Sequence, residues 1–225
     1  MDRVREHFES EAGQFDDIIL KRVPMYAEMI DTLVSALPFG DANGLRILDI
    51  GCGTGNITRV VKERFPEASV TCMDLAENMI AAAKKKLAKL NGIEFKRCDI
   101  TEFEFREPYD AIISSLTLHH IRDGKVKRSL YKKFRENLKP GGVFYNADVV
   151  LWSTKHLASL YMDKWGAFME KYLTIEEVRD TFDKHHAEDH PFRIMEELEW
   201  LKDAGFRDIE VLWRNYNGAV YGGVK

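Results

Sequence analysis

Cysteine is scarce in this chain: Cys52, Cys72 and Cys98 stand alone among 225 residues. An odd set with no CxxC spacing argues against a disulfide framework or a redox centre. Also lacking is any apolar run long enough for a signal peptide or a membrane span, so the expected location is the cytoplasm, with no membrane partner. Nor is there a basic surplus: 33 lysines and arginines face 37 acids, for a formal charge of −4. Nothing in that balance pulls in a phosphate backbone, and nucleic acid is not the expected acceptor. Two dense basic stretches, Lys84 to Lys86 with Lys89 and Lys125 to Arg128 with Lys132 and Lys133, read as solvated faces of amphipathic helices. There is no internal repeat and no low-complexity linker.

At 45% hydrophobic content the chain can bury a full core, and one domain with an added subdomain is the natural count. The most informative segment is Ile47-Leu48-Asp49-Ile50-Gly51-Cys52-Gly53-Thr54-Gly55-Asn56. It sets an acid and three alternating glycines where a buried strand turns into a helix, the place where α/β proteins seat nucleotide-like ligands. Glycines there let backbone approach the ligand. Asp49 selects its chemistry: a carboxylate beside the turn repels a pyrophosphate and attracts an amine and a sulfonium, favouring S-adenosylmethionine over NAD. Cys52 lies within this turn, and the other two cysteines read as small core residues.

From Arg3 to Leu37 the pattern is helical, broken at Gly13 and Pro24. Strands are expected at 45–50, 69–74, 93–97, 110–114 and 142–149, and helices from 56, at 76–90 and at 124–138. Such alternation means a parallel sheet with helices on both faces. Trp152 to Tyr172, Thr174 to His185 and Phe192 to Ala204 read as helices, the second opening on a Thr174/Glu177 capping pair. Tyr161, Trp165, Phe168 and Tyr172 fall about a helical turn apart and read as a buried stripe. Ile209 to Trp213 and Asn217 to Tyr221 alternate around a polar turn, as a hairpin does. The expected division is a helical cap at 1–40, a cofactor-binding core at 41–150, a helical lid at 151–204 and a closing hairpin at 205–225.

Further motifs follow in order: Ser69-Val70-Thr71-Cys72-Met73-Asp74, Phe95-Lys96-Arg97-Cys98-Asp99-Ile100, Tyr109 through His120, and Lys139-Pro140-Gly141-Gly142 leading into Val143 to Asp148. With the glycine turn, they make the sequence resemble the class I S-adenosylmethionine-dependent methyltransferases over most of its length. The resemblance implies a doubly wound, Rossmann-like, mostly parallel seven-stranded sheet with a C-terminal antiparallel hairpin, N-terminal helices and a helical lid after strand five. It implies S-adenosylmethionine as cofactor, held by Asp49, Gly51, Cys52, Gly53 and Gly55. Asp74 would accept the ribose hydroxyls and Asp99 the adenine amino group, with Leu75, Ile100 and Ser115 in the same contact set. Arg22-Val23-Pro24-Met25-Tyr26 is similar to a segment of the carboxy-SAM synthases, in which a tyrosine at the position of Tyr26 reaches the methionine carboxylate; Arg22 and Tyr26 are therefore added as cofactor contacts. That family holds its extra carboxylate with a lid arginine, whereas Asp180-Thr181-Phe182-Asp183 has none and Arg179 is the nearest. Its Asn-Phe-Thr-Leu-Gln segment is replaced by Ser115-Leu116-Thr117-Leu118-His119.

Methyl transfer from a sulfonium is an in-line displacement, and orientation alone supplies about 7–11 kcal/mol of it. Where an acceptor must lose a proton, the candidate catalytic residues are His119 and His120 after strand four and Asp148 at the end of strand five. His185, His186 and His190 invite a metal reading, but Pro191 pushes His190 out of helical geometry, and no metal is assigned. The expected acceptor is a small molecule offering an O, N, S or C nucleophile. Strand four carries Ser114-Ser115-Leu116-Thr117 in place of the Asn/Asp-Pro-Pro-Tyr/Phe tetrad of many nucleic-acid and protein amino methyltransferases. Carboxy-SAM synthesis, tRNA methylation and non-catalytic S-adenosylmethionine binding are the alternatives, and oligomeric state is open, a homodimer included.

Overall fold

The computed structural model describes residues 2–40 and 44–225; the expected cap boundary at residue 41 lies outside them. Three helices come first, α1 (Asp2–Glu11), α2 (Phe15–Arg22) and α3 (Tyr26–Ser35), and Met25 turns the chain into α3 with a left-handed φ of 56°. Then come β1 (Arg46–Ile50), α4 (Asn56–Arg64), β2 (Ser69–Asp74), α5 (Glu77–Lys86), β3 (Ile93–Arg97) and β4 (Tyr109–Ser115). A short 3-10 turn at Leu118–His120 precedes α6 (Gly124–Glu136) and β5 (Leu138–Val149). Helices α7 (Lys155–Met169), α8 (Ile175–Glu188) and α9 (Ile194–Asp203) follow, and β6 (Arg207–Asn215) and β7 (Gly218–Val224) close the chain. None of these helices is long and apolar enough to cross a membrane.

The seven strands form one sheet in the order β3-β2-β1-β4-β5-β7-β6. The first five pair in parallel, while β7 pairs antiparallel with both β5 and β6. Central strands bury both faces, so they read as continuous apolar runs. Alternate residues feed different sides: Ile47, Val70 and Ile113 pack with Met29, Leu33 and Val61 of α3 and α4, whereas Leu48, Met73 and Ile112 pack with Phe134 and Leu201 of α6 and α9. Strand β6 is the edge, and its exposed Arg207, Asp208 and Glu210 suit that place.

Three details depart from expectation. Strand β5 starts at Leu138 and takes in Lys139-Pro140-Gly141-Gly142, with the register against β4 shifting between Tyr109 and Ala111. Helix α8 continues to Glu188, past His185. The aromatic stripe on α7 is only partly buried: Trp165 is enclosed, while Tyr172, just beyond the helix, is 56% exposed.

The basic face of α6 also departs from expectation, because Lys127 is fully buried. Position 127 points between α6 and α9, where Lys127 Nζ donates to Glu197 Oε1 at 2.5 Å and Tyr131 Oη donates to Glu197 Oε2 at 2.5 Å. The line of polar groups runs on through Tyr221, whose hydroxyl accepts from Asn146 Nδ2 at 2.9 Å, to Asp148, which accepts from the same amide at 3.2 Å. Removing one partner of a buried pair strands the other charge. Glu197→Ala is therefore expected to lower stability by about 3–5 kcal/mol, with most of the loss recovered in Lys127→Met/Glu197→Leu. Urea denaturation checks both; a single-variant loss no larger than that of an exposed pair would refute the account.

Candidate functional site

Strand order reverses between β1 and β4, and such a switch point opens a crevice at the carboxyl ends of the strands. The turn after β1 faces the loop after β4 across it. A Cβ on Gly51 would collide with the Thr117 side chain, so only glycine permits this approach. Gly55, at φ 84°, caps α4, and a Cβ there would meet Leu87 at 2.6 Å. The crevice is lined by the glycine turn, the ends of β2 and β4, and residues of α1 and α2.

Asp49 is buried at the end of β1. Thr58 Oγ1 donates to its Oδ2 at 2.6 Å, but its Oδ1 is buried with no partner among the described residues. Burial and the neighbouring Asp74 carboxylate push the Asp49 carboxyl up to about 7. An unpartnered buried acceptor on a cavity wall fits a ligand carrying a cationic donor. Asp74, at the end of β2, accepts from the Gly53 amide at 2.9 Å and the Ala76 amide at 2.8 Å, and burial raises its pKa despite those bonds. Tyr26 lies on the same wall, its hydroxyl accepting from Asn56 Nδ2 at 3.4 Å, and burial lifts its pKa to about 12.

The N-terminal helices cover the crevice. Glu9 on α1 caps α5 by accepting from the Glu77 and Asn78 amides at 2.7 and 2.8 Å. Asp16 on α2 accepts from Thr54 Oγ1 and from Lys86 Nζ, each at 2.7 Å, which ties the cover to the glycine turn. Beneath α1 and α2 lies a second cavity, bounded also by the end of β5 and by α7 and α8. Phe8, Phe15, Leu116 and His120 line both cavities and form their common wall. Leu116 holds a left-handed φ of 48°, a strained conformation for a branched side chain and a frequent mark of functional loops.

Histidines and carboxylates gather in the second chamber. His119 donates its backbone amide to Asp148 Oδ2 at 3.0 Å, and its Nδ1 meets Asp148 Oδ1 at 2.5 Å. Burial works against its charge, but Asp148 and Asp189 outweigh burial and raise its pKa to about 10. His120 is shifted the other way, lowered by burial and by the charge on His119. Asp189, just past the end of α8, faces His119, His120 and His185, which hold its carboxyl far below the ordinary range against the effect of burial.

The structure thus brings Tyr26, Asp49, Gly51, Cys52, Gly53, Asp74, Leu75 and Ser115 to one cavity, with His120 at its far wall. Gly55 supports the turn from behind. Asp99 and Ile100 are not on that wall: Asp99 accepts from the Thr101 amide and hydroxyl, and Ile100 is core. Arg22 lines the second chamber rather than the first, its Nη1 bonded to Glu11 at 2.9 and 3.0 Å. His119 lines the second chamber, and Asp148 lies behind it, completely buried. His186 is exposed and His190 bonds through its backbone to the His119 carbonyl at 2.8 Å, so the expected 185/186/190 grouping does not form. Sequence reasoning missed Phe8, Phe15, Leu116 and Glu188 as site residues, and placed Asp189 only beside His186 and His190. Only Asp189 carried a signal, as the acid preceding His190-Pro191.

Residues 47–142 match the family model described as a methyltransferase domain. The chain is 28% identical to the carboxy-S-adenosyl-L-methionine synthase of Nautilia profundicola over 96% of its own length and 92% of that protein's. It is 34% identical to the malonyl-acyl-carrier-protein O-methyltransferase of Acetivibrio thermocellus, over 61% of this chain and 46% of that one. Among solved structures, phosphoethanolamine N-methyltransferase 2 of Haemonchus contortus, in complex with phosphomonomethylethanolamine and S-adenosylhomocysteine, matches with a TM-score of 0.67 at 22% identity. That match covers 90% of this chain and 43% of the other.

The raised Asp49 pKa has a consequence for stability. Its ordinary value is 3.8 and its folded value about 7, so between these the folded chain holds a proton that the unfolded chain has released. Stability from this position is fully present below the lower value, declines as pH rises toward 7, and is level above. Asp49→Asn removes the decline. The stability of the variant relative to the parent should therefore climb by up to about 1.4 kcal/mol per pH unit across that window. Urea denaturation of the unliganded proteins between pH 4 and 8 measures it, and a difference independent of pH would refute the assignment.

Proposed function

We propose that this chain, which belongs to the class I S-adenosylmethionine-dependent methyltransferase family, methylates a small molecule held in its second chamber. The observation that carries the reading is the pair of adjoining chambers: one ends on a buried carboxylate with one oxygen unpartnered among the described residues, and the other is a mostly apolar cavity bordered by helices. In the first chamber Asp49 takes the cationic methionine end of the cofactor, Asp74 the ribose hydroxyls, and the Gly51 to Gly53 backbone lies against it. Cys52, Leu75, Ser115 and Tyr26 complete that wall. When bound, S-adenosylmethionine supplies a methyl group that passes in line to the acceptor's lone pair while the carbon–sulfur electrons leave with sulfur. Phe8, Phe15 and Leu116 exclude water from the wall where the chambers meet, and His120 is the polar residue there that meets the acceptor. His119 and Asp148 act as positioning residues, since Asp148 fixes the ring and backbone of His119 beside His120.

The relative named as a carboxy-SAM synthase makes that activity the second reading. One feature favours methyl transfer. In the lid segment where that family has its arginine, Thr181 lines the second chamber, and the nearby Arg179 is exposed.

The test is native mass spectrometry of the purified protein, then calorimetry and methyl-label transfer with S-adenosylmethionine. The expected results are bound S-adenosylmethionine or S-adenosylhomocysteine, and label appearing in a small-molecule extract rather than in tRNA or protein. Asp74→Ala is expected to weaken cofactor affinity by about ten- to a hundredfold, the equivalent of about 1.5–3 kcal/mol of charge-assisted hydrogen bonding. His120→Ala should abolish turnover with cofactor affinity unchanged. A bound ligand heavier by a carboxyl group would establish the second reading, and unchanged affinity in Asp74→Ala would remove the ribose assignment.

A further inference from the structure

Within the second chamber, His119 Nε2 and His120 Nδ1 converge on a single carboxylate oxygen, Asp189 Oδ1, at 3.4 and 3.2 Å. Of the other imidazole–carboxylate contacts around the chamber, three are short, 2.5 Å for His119 with Asp148, 2.6 Å for His185 with Asp189 and 2.6 Å for His7 with Glu188, while His7 with Glu11, one helical turn apart, is at 3.2 Å. A shared proton draws a charged pair to about 2.7–2.9 Å, and the two contacts at Asp189 Oδ1 stay outside that range. They match the edge of a coordination shell, because donors about 2.0–2.1 Å from one ion lie about 2.9–3.4 Å apart at right-angled to tetrahedral angles. The donor atoms of the three side chains all lie within 4.8 Å of one another.

We propose that His119, His120 and Asp189 bind one divalent transition-metal ion of the zinc type, with its remaining positions open to the second chamber. The proposal rests on the methyl-transfer reading for its use: the ion would hold the acceptor and lower the pKa of its O–H or S–H against the wall shared with the cofactor cavity. Four observations support the site. Two imidazoles and one carboxylate suit borderline ions, whereas calcium and magnesium take oxygen. Both outer contacts that orient metal ligands are present, since Asp148 holds the far nitrogen of His119 and His185 holds the second oxygen of Asp189. All three side chains line a chamber large enough for a substrate, which leaves coordination positions open as catalytic sites require. Lastly, His120 Nδ1, the nitrogen that faces Asp189, has besides that contact only a 3.4 Å contact to the Glu188 carbonyl, which leaves it available to an ion. The ion sits on histidines other than the helix pair His186 and His190 that the sequence first brings forward.

The full-length protein, stripped with a chelator and dialysed, is titrated with zinc by calorimetry and with cobalt by visible absorption. One ion per chain and cobalt bands of a low-coordinate nitrogen–oxygen site are expected. Asp189→Asn and His119→Gln should abolish the bands with S-adenosylmethionine affinity retained, which also certifies folding. Asp148→Asn, touching no ion, should weaken metal binding by about 10–100-fold, and His186→Gln should leave it unchanged. Bands that persist in Asp189→Asn, or no bands in the parent protein, overturn the proposal. A silent cobalt titration with chelator-resistant turnover overturns the metal and leaves methyl transfer standing. Full cobalt bands in a protein that does not bind S-adenosylmethionine uphold the metal site and overturn the methyl-transfer reading.

Discussion

The pairing of β1 with β2 on one side and β4 on the other is the constraint on which the site depends. Right-handed crossovers send the chain away from β1 in opposite directions, so no helix fills the space above the end of β1. The backbone there has to turn without side chains, and Gly51 can lie against Thr117 only because it has none. The same turn leaves Asp49 buried with one oxygen bonded and one not. A carboxylate in that state is costly to the empty protein and becomes favourable when a cation arrives. Binding energy and instability of the unliganded chain have one source.

A second constraint lies on the other face of the sheet. Lys127, Glu197, Tyr131, Tyr221, Asn146 and Asp148 form a continuous polar line through an otherwise apolar layer. Such lines contribute little net stability compared with apolar packing, but they restrict how the elements they join can pack, here with Asn146 Oδ1 left without a partner among the described residues. Here they join α6, α9, β7 and β5, and they end on the carboxylate that holds His119. The orientation of the histidine pair is thereby tied to the packing of helices remote from either chamber.

Closure of the chambers is built differently. Helices α1 and α2 are held by Glu9 over the start of α5, by Asp16 with Lys86, and by Glu11 with Arg22. These are exposed or half-buried polar contacts, each of a kind worth about 0–1 kcal/mol. Helix α3, by contrast, buries Met29, Ile30, Leu33 and Val34 in the core. Buried Ile19, the Trp165 Nε1 bond to the Arg22 carbonyl and the His7 contact to Glu188 add to the hold on α1 and α2, and both chambers take part of their walls from this cover.

Periodicity and turn chemistry are local, and what depends on them could be read from the sequence by itself. The alternation of apolar runs with helical patterns determined the parallel sheet, and the glycine turn with Asp49 pointed to where the crevice opens and to the charge of the ligand proposed for it. The acid ending β2 followed from the same spacing. What only tertiary structure decided depends on contacts between residues far apart in the chain. Asp189 reaches His119 and His120 across about seventy positions because α8 returns its end over β4 and β5. Lys127 reads as one more solvated lysine until α9 brings Glu197 against it, since helical spacing alone does not show what packs on a face. Arg22 lines the second chamber because α1 brings Glu11 against it, whereas Asp99 is held by a local contact, accepting from Thr101 two residues on.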